Sequence, residues 1–343
     1  NQSYKDFEIL ISDDNSTDQS LKVVESIKDE RIKIFKNDKN YGPAINFNKL
    51  IDKATGSYLM LLASDDALYE NALSKYLDRV KNNSNLALCY TWFQTIDEQN
   101  QEIDSFNMKV GNKNRNPDLY LHELFYSGNY LMGSGLFINK EIFKKTNKFN
   151  PFLIQTQDYE LVTRLLCMGL KISVIEDKII KYRIHSSNLS NNLNNSDIAF
   201  INESRYLFEI QKVLENYLKI EDFELFKKTF PSTLDYEIVD PKYKIFYLMN
   251  EAIKVGYYSD SLYHVGYKLF ASNLAYSICN NEELFNEICS KFNFSFLDFK
   301  NILSSNINKN NITHLYDLFS QNKIKEKSKT KRIFDKSLIK FLK

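Results

Sequence analysis

An α/β fold followed by a mainly helical region is what the sequence predicts, and three observations carry that expectation. From Phe7 to about Ile180, short apolar runs alternate with segments of helical period, the pattern of βα units around a largely parallel sheet. Two of these runs lead into paired aspartates, Asp13-Asp14 and Asp65-Asp66, where the strands of such a sheet end and ligands collect. Beyond about Ser190 the text turns Asn-rich and then passes into long amphipathic segments with few turn signals.

Taken in order, Phe7 to Ser12 (FEILIS) reads as a buried strand, and Ser16 with Gln19 three residues later forms a capping box that opens a helix. Arg31 to Phe35 is the next strand, Pro43 to Ala54 a helix, and Tyr58 to Ala63 a fully buried strand that delivers Asp65 and Asp66. Leu86 to Ile96 reads as a strand turning through Asp97-Glu98-Gln99-Asn100, and Gly135 to Asn139 as a short one. From Asp158 to Met168, apolar residues at Leu161, Val162, Leu165, Leu166 and Met168 make a helical stripe, closed by Gly169 as C-terminal cap. Lys171 to Ile175 is a strand leading toward Tyr182 and His185. Helices are then expected around Ile198–Leu218, Ile245–Val255, Ser261–Cys279 and Glu282–Phe292, interrupted by Pro231 and Pro241. The chain divides into residues 1–190 and a mainly helical accessory region, 191–343.

Composition narrows the function classes. Forty-five Lys plus Arg against 44 Asp plus Glu leaves a formal charge of +1, so no global field recruits nucleic acid. No run approaches the roughly 18 consecutive apolar residues of a membrane-spanning helix. Cys89, Cys167, Cys279 and Cys289 stand singly, without C-x-x-C spacing, and read as reduced structural thiols of a cytoplasmic protein. Most of the 22 Tyr and 25 Phe read as core and helix packing.

Each aspartate pair alone reads equally well as a helix cap or a solvated turn. Their company is what counts. NQSYKDFEILISDDNSTD, then NYGPAINFNKLIDKATGSYLMLLASDD, then GSGLFINKEIF, TQDYELVTRLLCMGLKISVI and YRIHSSNLS follow one another over Asn1 to about Ser190. In that order they resemble the inverting glycosyltransferases of family 2, whose catalytic domain has the GT-A nucleotide-sugar-binding fold.

The resemblance implies transfer of a sugar, with inversion, from a nucleotide-sugar to a hydroxyl of a glycan or lipid-linked acceptor. It implies a divalent cation, Mn2+ or Mg2+, because the departing nucleoside diphosphate gains negative charge that a carboxylate-held cation offsets. Asp65 occupies the second acidic position of the family's Asp-x-Asp motif and is the preferred metal ligand, with Asp66 a second candidate; Ala63 stands where the first acid would be. Asp13, Asp14, Asn40, Gly42, Ser64, Arg183 and His185 are implied on the donor side, with His185 near the diphosphate or the metal. Asp158 is implied as the base that takes the acceptor proton, and its place at a helix start favours the carboxylate. Gln157 stands where the family commonly has Glu; with Gly133, Ser134 and Trp92 it lines the implied acceptor or sugar pocket.

The family's domain begins with a strand and helix that precede NQSYKDFEI, the strand lying between the Phe7 and Tyr58 strands. The chain is therefore expected to lack the first strand and to be a fragment of a longer protein. A noncatalytic carbohydrate-binding or assembly module of the same fold is the rival reading, suggested by Ala63, Gln157 and the absent start. A sugar-phosphate nucleotidyltransferase is a third, opposed by QDYEL and YRIH. Lys323 to Lys343 carries nine Lys or Arg, with Phe334, Leu338, Phe341 and Leu342 on one helical face. Two readings fit this tail: an anchor on an anionic membrane surface, at the inner face where lipid-linked acceptors reside, or a solvated end. Acceptor binding, oligomer formation and support of the catalytic domain remain open for the helices before it.

Overall fold

The structure is a computed structural model that describes residues 1–81, 83, 86–103, 115–131, 133–185, 188, 196–256 and 261–305. Strands β1 (Ile9–Asp13) and β2 (Ile32–Lys36) pair in parallel, Ile9 opposite Ile32 and Asp13 opposite Lys36. A second sheet has the order β3 (Tyr58–Met60), β6 (Phe137–Asn139), β5 (Leu86–Ile96), β7 (Lys171–Arg183), β4 (Ala67–Leu68). In it β5 and β7 are parallel, whereas β3–β6, β6–β5 and β7–β4 are antiparallel. The largely parallel sheet expected is carried by the long β1–β2 and β5–β7 ladders, with short antiparallel pairings beside them. Apolar runs announce strands but not their direction, which is set by the end of the sheet at which each connection re-enters.

β5 is the hub. Its neighbouring residues serve opposite faces: Leu88 and Tyr90 join the large core, while Cys89 and, across the register shift between Leu86 and Leu88, Leu86 pack with Ala72, Tyr76 and Val80 of α3 (Ala72–Lys81). Around these stand α1 (Ser20–Ser26), α2 (Pro43–Lys53), α4 (Tyr120–Ser127), α5 (Lys140–Lys145) and α6 (Gln157–Cys167). The predicted capping box does not form. The α1 helix begins after Gln19 without a side-chain cap; Asp13 takes the Ser16 N–H at 3.2 Å and Asp18 takes the Ser20 N–H at 2.8 Å. Asp13 holds the Ser16 N–H that the Gln19 side chain would have to accept to close the box.

Strand β7 runs well past Ile175. Between Ile175 and Lys178 the register with β5 breaks, and the Thr91 hydroxyl bonds the Asp177 carbonyl at 2.6 Å. The polar Glu176-Asp177-Lys178 triplet is therefore a bulge inside a strand rather than its end, and past it the strand is re-aimed onto β4.

The helical region comprises α7 (Ser196–Leu218), α8 (Phe223–Thr229), α9 (Lys244–Gly256), α10 (Leu262–Cys279), α11 (Glu282–Lys291) and α12 (Phe296–Ser305). Ile210, Val213, Leu214 and Tyr217 of α7 are fully buried in the same cluster as Leu124, Phe125, Tyr159 and Leu161 of the α/β part, so both parts share one core. The expected boundary at 190 and the basic tail lie outside the described residues. None of the described helices is long and apolar enough to cross a membrane.

Phe125 stands at this seam, edge-on to Tyr217, Phe230 and Tyr267 at centroid distances of 5.0, 4.8 and 5.1 Å. Phe125→Ala is expected to cost about 3–5 kcal/mol, because the cavity opens between elements pinned by other contacts. A shift in urea midpoint at unchanged slope is the readout.

Candidate functional site

Three clusters of polar side chains surround the residues singled out by the sequence. The first surrounds Asp14. Its carboxylate takes the backbone N–H groups of Tyr41 at 3.1 Å and Gly42 at 2.9 Å, and the Asn37 amide at 2.8 Å. Asn37 also donates to Asn46, which accepts from Ser12 of β1, and receives Lys49 at 2.9 Å. Asp14 is thus the latch that ties the end of β1 to the turn entering α2. Gly42 ends that turn at φ 84°, a conformation that favours glycine, and Asn40 accepts its N–H at 3.1 Å. The Asp13 carboxylate accepts the Ser16 N–H at 3.2 Å.

The second cluster follows β3. Asp65 and Asp66 diverge: Asp65 Oδ2 faces His185 Nε2 at 3.0 Å and the Asn188 amide at 3.2 Å, whereas Asp66 Oδ1 takes the backbone N–H of Arg183 at 2.9 Å. Burial pushes the Asp66 carboxyl above its usual range, opposed by the Ser134 hydroxyl and the Arg183 N–H. Ser64 is exposed on the turn. Arg183 is employed inside the fold: its guanidinium donates to the Asp65 carbonyl, the Asp97 carbonyl and Asn100 at 2.8, 2.7 and 2.8 Å. Its guanidinium thus holds the Asp65 turn to the 97–100 turn.

The third cluster surrounds Asp158 in the first turn of α6. It is part-buried and takes the Tyr159 N–H at 2.7 Å. Burial raises its carboxyl from 3.8 to about 6, against the pull of the Tyr159, Asp158 and Gly133 N–H groups and the Asn129 side chain. A Cβ on Gly133 would lie 3.1 Å from Asp158 Oδ2, so the backbone passes directly over the carboxylate. The Gln157 side-chain oxygen and the Trp92 indole nitrogen are enclosed without hydrogen-bond partners, as are the hydroxyls of Tyr90 and Tyr130.

Residues 133–136 join the last two clusters. Gly135 N–H donates to Leu61 O at 2.7 Å, Leu61 N–H to Leu136 O at 2.9 Å, and the Ala63 N–H to the Ser134 hydroxyl at 3.3 Å. One segment therefore lies against Asp158 at Gly133 and against the Asp65-Asp66 turn at Ser134. Asn37, Asn46, Asn129, Asn188 and the buried Glu209 complete the arrangement and escape the sequence reading. Their partnerships include long-range ones, Asn37 with Asp14, Asn188 with Asp65 and Glu209 with Ile154, and Asn in this Asn-rich text carries no local signal.

As to a cation, Asp65 and His185 offer an oxygen and a nitrogen donor side by side. That donor set fits a hard divalent ion that takes its remaining ligands from phosphate and water. Among the described residues no group of three or more His, Cys, Asp or Glu forms an all-protein cage.

Residues 1–146 match the family model described as Glycosyl transferase family 2. An uncharacterized glycosyltransferase of Methanocaldococcus jannaschii is 28% identical over 191 residues, 54% of this chain and 62% of the relative. The GalNAc(5)-diNAcBac-PP-undecaprenol beta-1,3-glucosyltransferase of Campylobacter jejuni is 43% identical over 83 residues, 23% of this chain and 26% of the relative. The chain spans less than two thirds of the length of these curated relatives. The crystal structure of S. aureus TarS 1-349 in complex with UDP is similar at a TM-score of 0.51, with 13% identity and 86% of each chain covered. That likeness shows the fold, which is GT-A.

Proposed function

We propose, from the premise that residues 1–146 form a family 2 glycosyltransferase domain, that the protein transfers a sugar from a nucleotide-sugar to an acceptor hydroxyl with inversion, assisted by Mn2+ or Mg2+. The observation that carries the reading is the segment 133–136, which lies against Asp158, a carboxylate of raised pKa, at Gly133 and against the turn that bears the Asp65–His185 pair at Ser134. A base and a cation-binding corner on one rigid support are what direct displacement requires.

In this reading Asp158 takes the proton of the acceptor hydroxyl as its oxygen attacks the anomeric carbon from the face opposite the nucleotide. The bond from that carbon to the diphosphate oxygen breaks, and configuration inverts. The cation, when bound by Asp65 with His185, offsets charge on the leaving diphosphate. Asp13 with the Asn40–Gly42 turn, held by Asp14, receives the nucleoside; Gly133, Ser134, Gln157 and Trp92 border the sugar. The UDP in the TarS complex and the undecaprenol-linked substrate in the name of the Campylobacter relative support a nucleotide-sugar donor and a glycan or lipid-linked acceptor. Surface polysaccharide or glycoconjugate synthesis, in the cytoplasm at the inner membrane face, fits such an acceptor.

A panel of nucleotide-sugars with Mn2+ should raise the melting temperature for one donor, and product from that donor should show the opposite anomeric configuration by NMR. No shift and no transfer with any donor would reject the proposal in favour of a noncatalytic module. Within the reading, Gly133→Ala is expected to lower turnover about tenfold in a folded protein, since the added methyl displaces the Asp158 carboxylate by a few tenths of an ångström. Steady-state kinetics beside an unchanged circular dichroism spectrum would check it.

A further inference from the structure

We infer that Glu209, on α7 of the helical region, is a positioning residue for Asp158. Glu209 is fully buried, and a carboxylate is tolerated there only when donors fill its lone pairs. One oxygen takes the Ile154 N–H at 2.9 Å; the other takes the Gln155 N–H at 2.8 Å, the Thr156 N–H at 2.9 Å and the Thr156 hydroxyl at 3.2 Å. These residues are the last before α6, whose N-cap Thr156 makes no side-chain cap of its own. The carboxylate that holds this entry comes from 53 residues beyond Thr156, and Asp158 stands two residues after Thr156.

Two carboxylates thus divide the N–H groups at one helix start: Glu209 holds 154–156, and Asp158 takes Tyr159. With the preceding turn fixed, the Asp158 side chain has one place to stand, under Gly133. A second bond from α7 steadies the next turn, Asn216 donating to Glu160 at 3.2 Å while Arg164 donates to the same carboxylate at 2.8 Å. An ordinary helix seam is served by apolar side chains such as the adjacent Ile210, and a buried charge is a poor source of stability alone. Its placement at the start of the Asp158 helix is what calls for another role.

The inference rests on Asp158 acting as base. Glu209→Gln turns one acceptor into a donor facing N–H groups. It should lower kcat about 100-fold while KM for the nucleotide-sugar stays within about twofold. Glu251 is the reference: also buried, it bonds Tyr126, Ser232 and Lys254 and none of residues 154–158. Glu251→Gln should lower the melting temperature and leave kcat unchanged. Wild-type kcat in Glu209→Gln, or an equal fall in both variants, would overturn the inference. If Glu209→Gln does not fold, Thr156→Val removes one bond to the carboxylate and should lower kcat severalfold at constant KM; unchanged kcat would overturn it equally. Amide hydrogen exchange separates this from the proposed function. Even in a chain that transfers no sugar, Glu209→Gln should deprotect residues 154–159 selectively, and unchanged protection there refutes the positioning role.

Discussion

Asp158→Asn is expected to lower turnover about 1000-fold while donor binding stays unchanged, because the amide keeps the shape of the carboxylate but cannot take a proton. The raised carboxyl gives this variant a second signature. In the folded protein Asp158 holds its proton to about pH 6, whereas the unfolded chain gives it up near 3.8. Between those values the folded state binds more protons, so stability falls as pH rises through the window and the full penalty is present at pH 7. The uncharged Asn escapes it. Asp158→Asn should therefore be more stable than the unaltered protein at pH 7, by about 1–3 kcal/mol, with the gap closing toward pH 4. The unaltered protein's kcat/KM should in turn fall below about pH 6 and level off above it. Turnover of Asp158→Asn within about tenfold of the unaltered protein would remove Asp158 from the role.

Asp65→Asn is the second large effect. Loss of the charged ligand should lower transfer about 1000-fold, the several kcal/mol a cation contributes at a departing diphosphate, and raise the Mn2+ needed for half-maximal rate. Asp66 should behave differently. Its carboxylate holds the Arg183 backbone, so Asp66→Asn should act on stability before activity. A chelator that leaves the rate of the unaltered enzyme untouched, with Asp65→Asn fully active, would exclude the cation from the mechanism.

Much of this was legible in the sequence where periodicity and stop signals agree. The α6 stripe ends at Cys167 with Gly169 at φ 77°, as its spacing requires, and β5 spans Leu86–Ile96 as read. The elements misread are those whose bounds are set by partners. At Ser16 the N–H went to Asp13 and the box stayed open, and β7 continued through a polar triplet because its bulge points Asp177 outward while β5 keeps the ladder. At the candidate site, the sequence singled out Asp14, Asp65, Asp66 and Arg183 but not which bonds each makes, since which carboxylate latches a loop depends on backbone N–H directions. Glu209 did leave a trace: it falls on the apolar stripe of α7, three after Tyr206 and four before Val213. An acid on a buried stripe asks for donors, though no local pattern says whose.

Strand β7 bears on how the length of this chain can vary. Its thirteen residues begin two positions after the Gly169 that closes the Asp158 helix and end two positions before His185. The span works as a ruler with β5 as its scale, and the graduation is about 3.3 Å per residue. One residue added after the bulge would reverse which face each side chain meets, and two would carry His185 about 7 Å from Asp65. Related chains are thus expected to differ in length at their surface turns while keeping the count from Gly169 to His185 fixed, with the three surplus residues between Ile175 and Ile180 included in it.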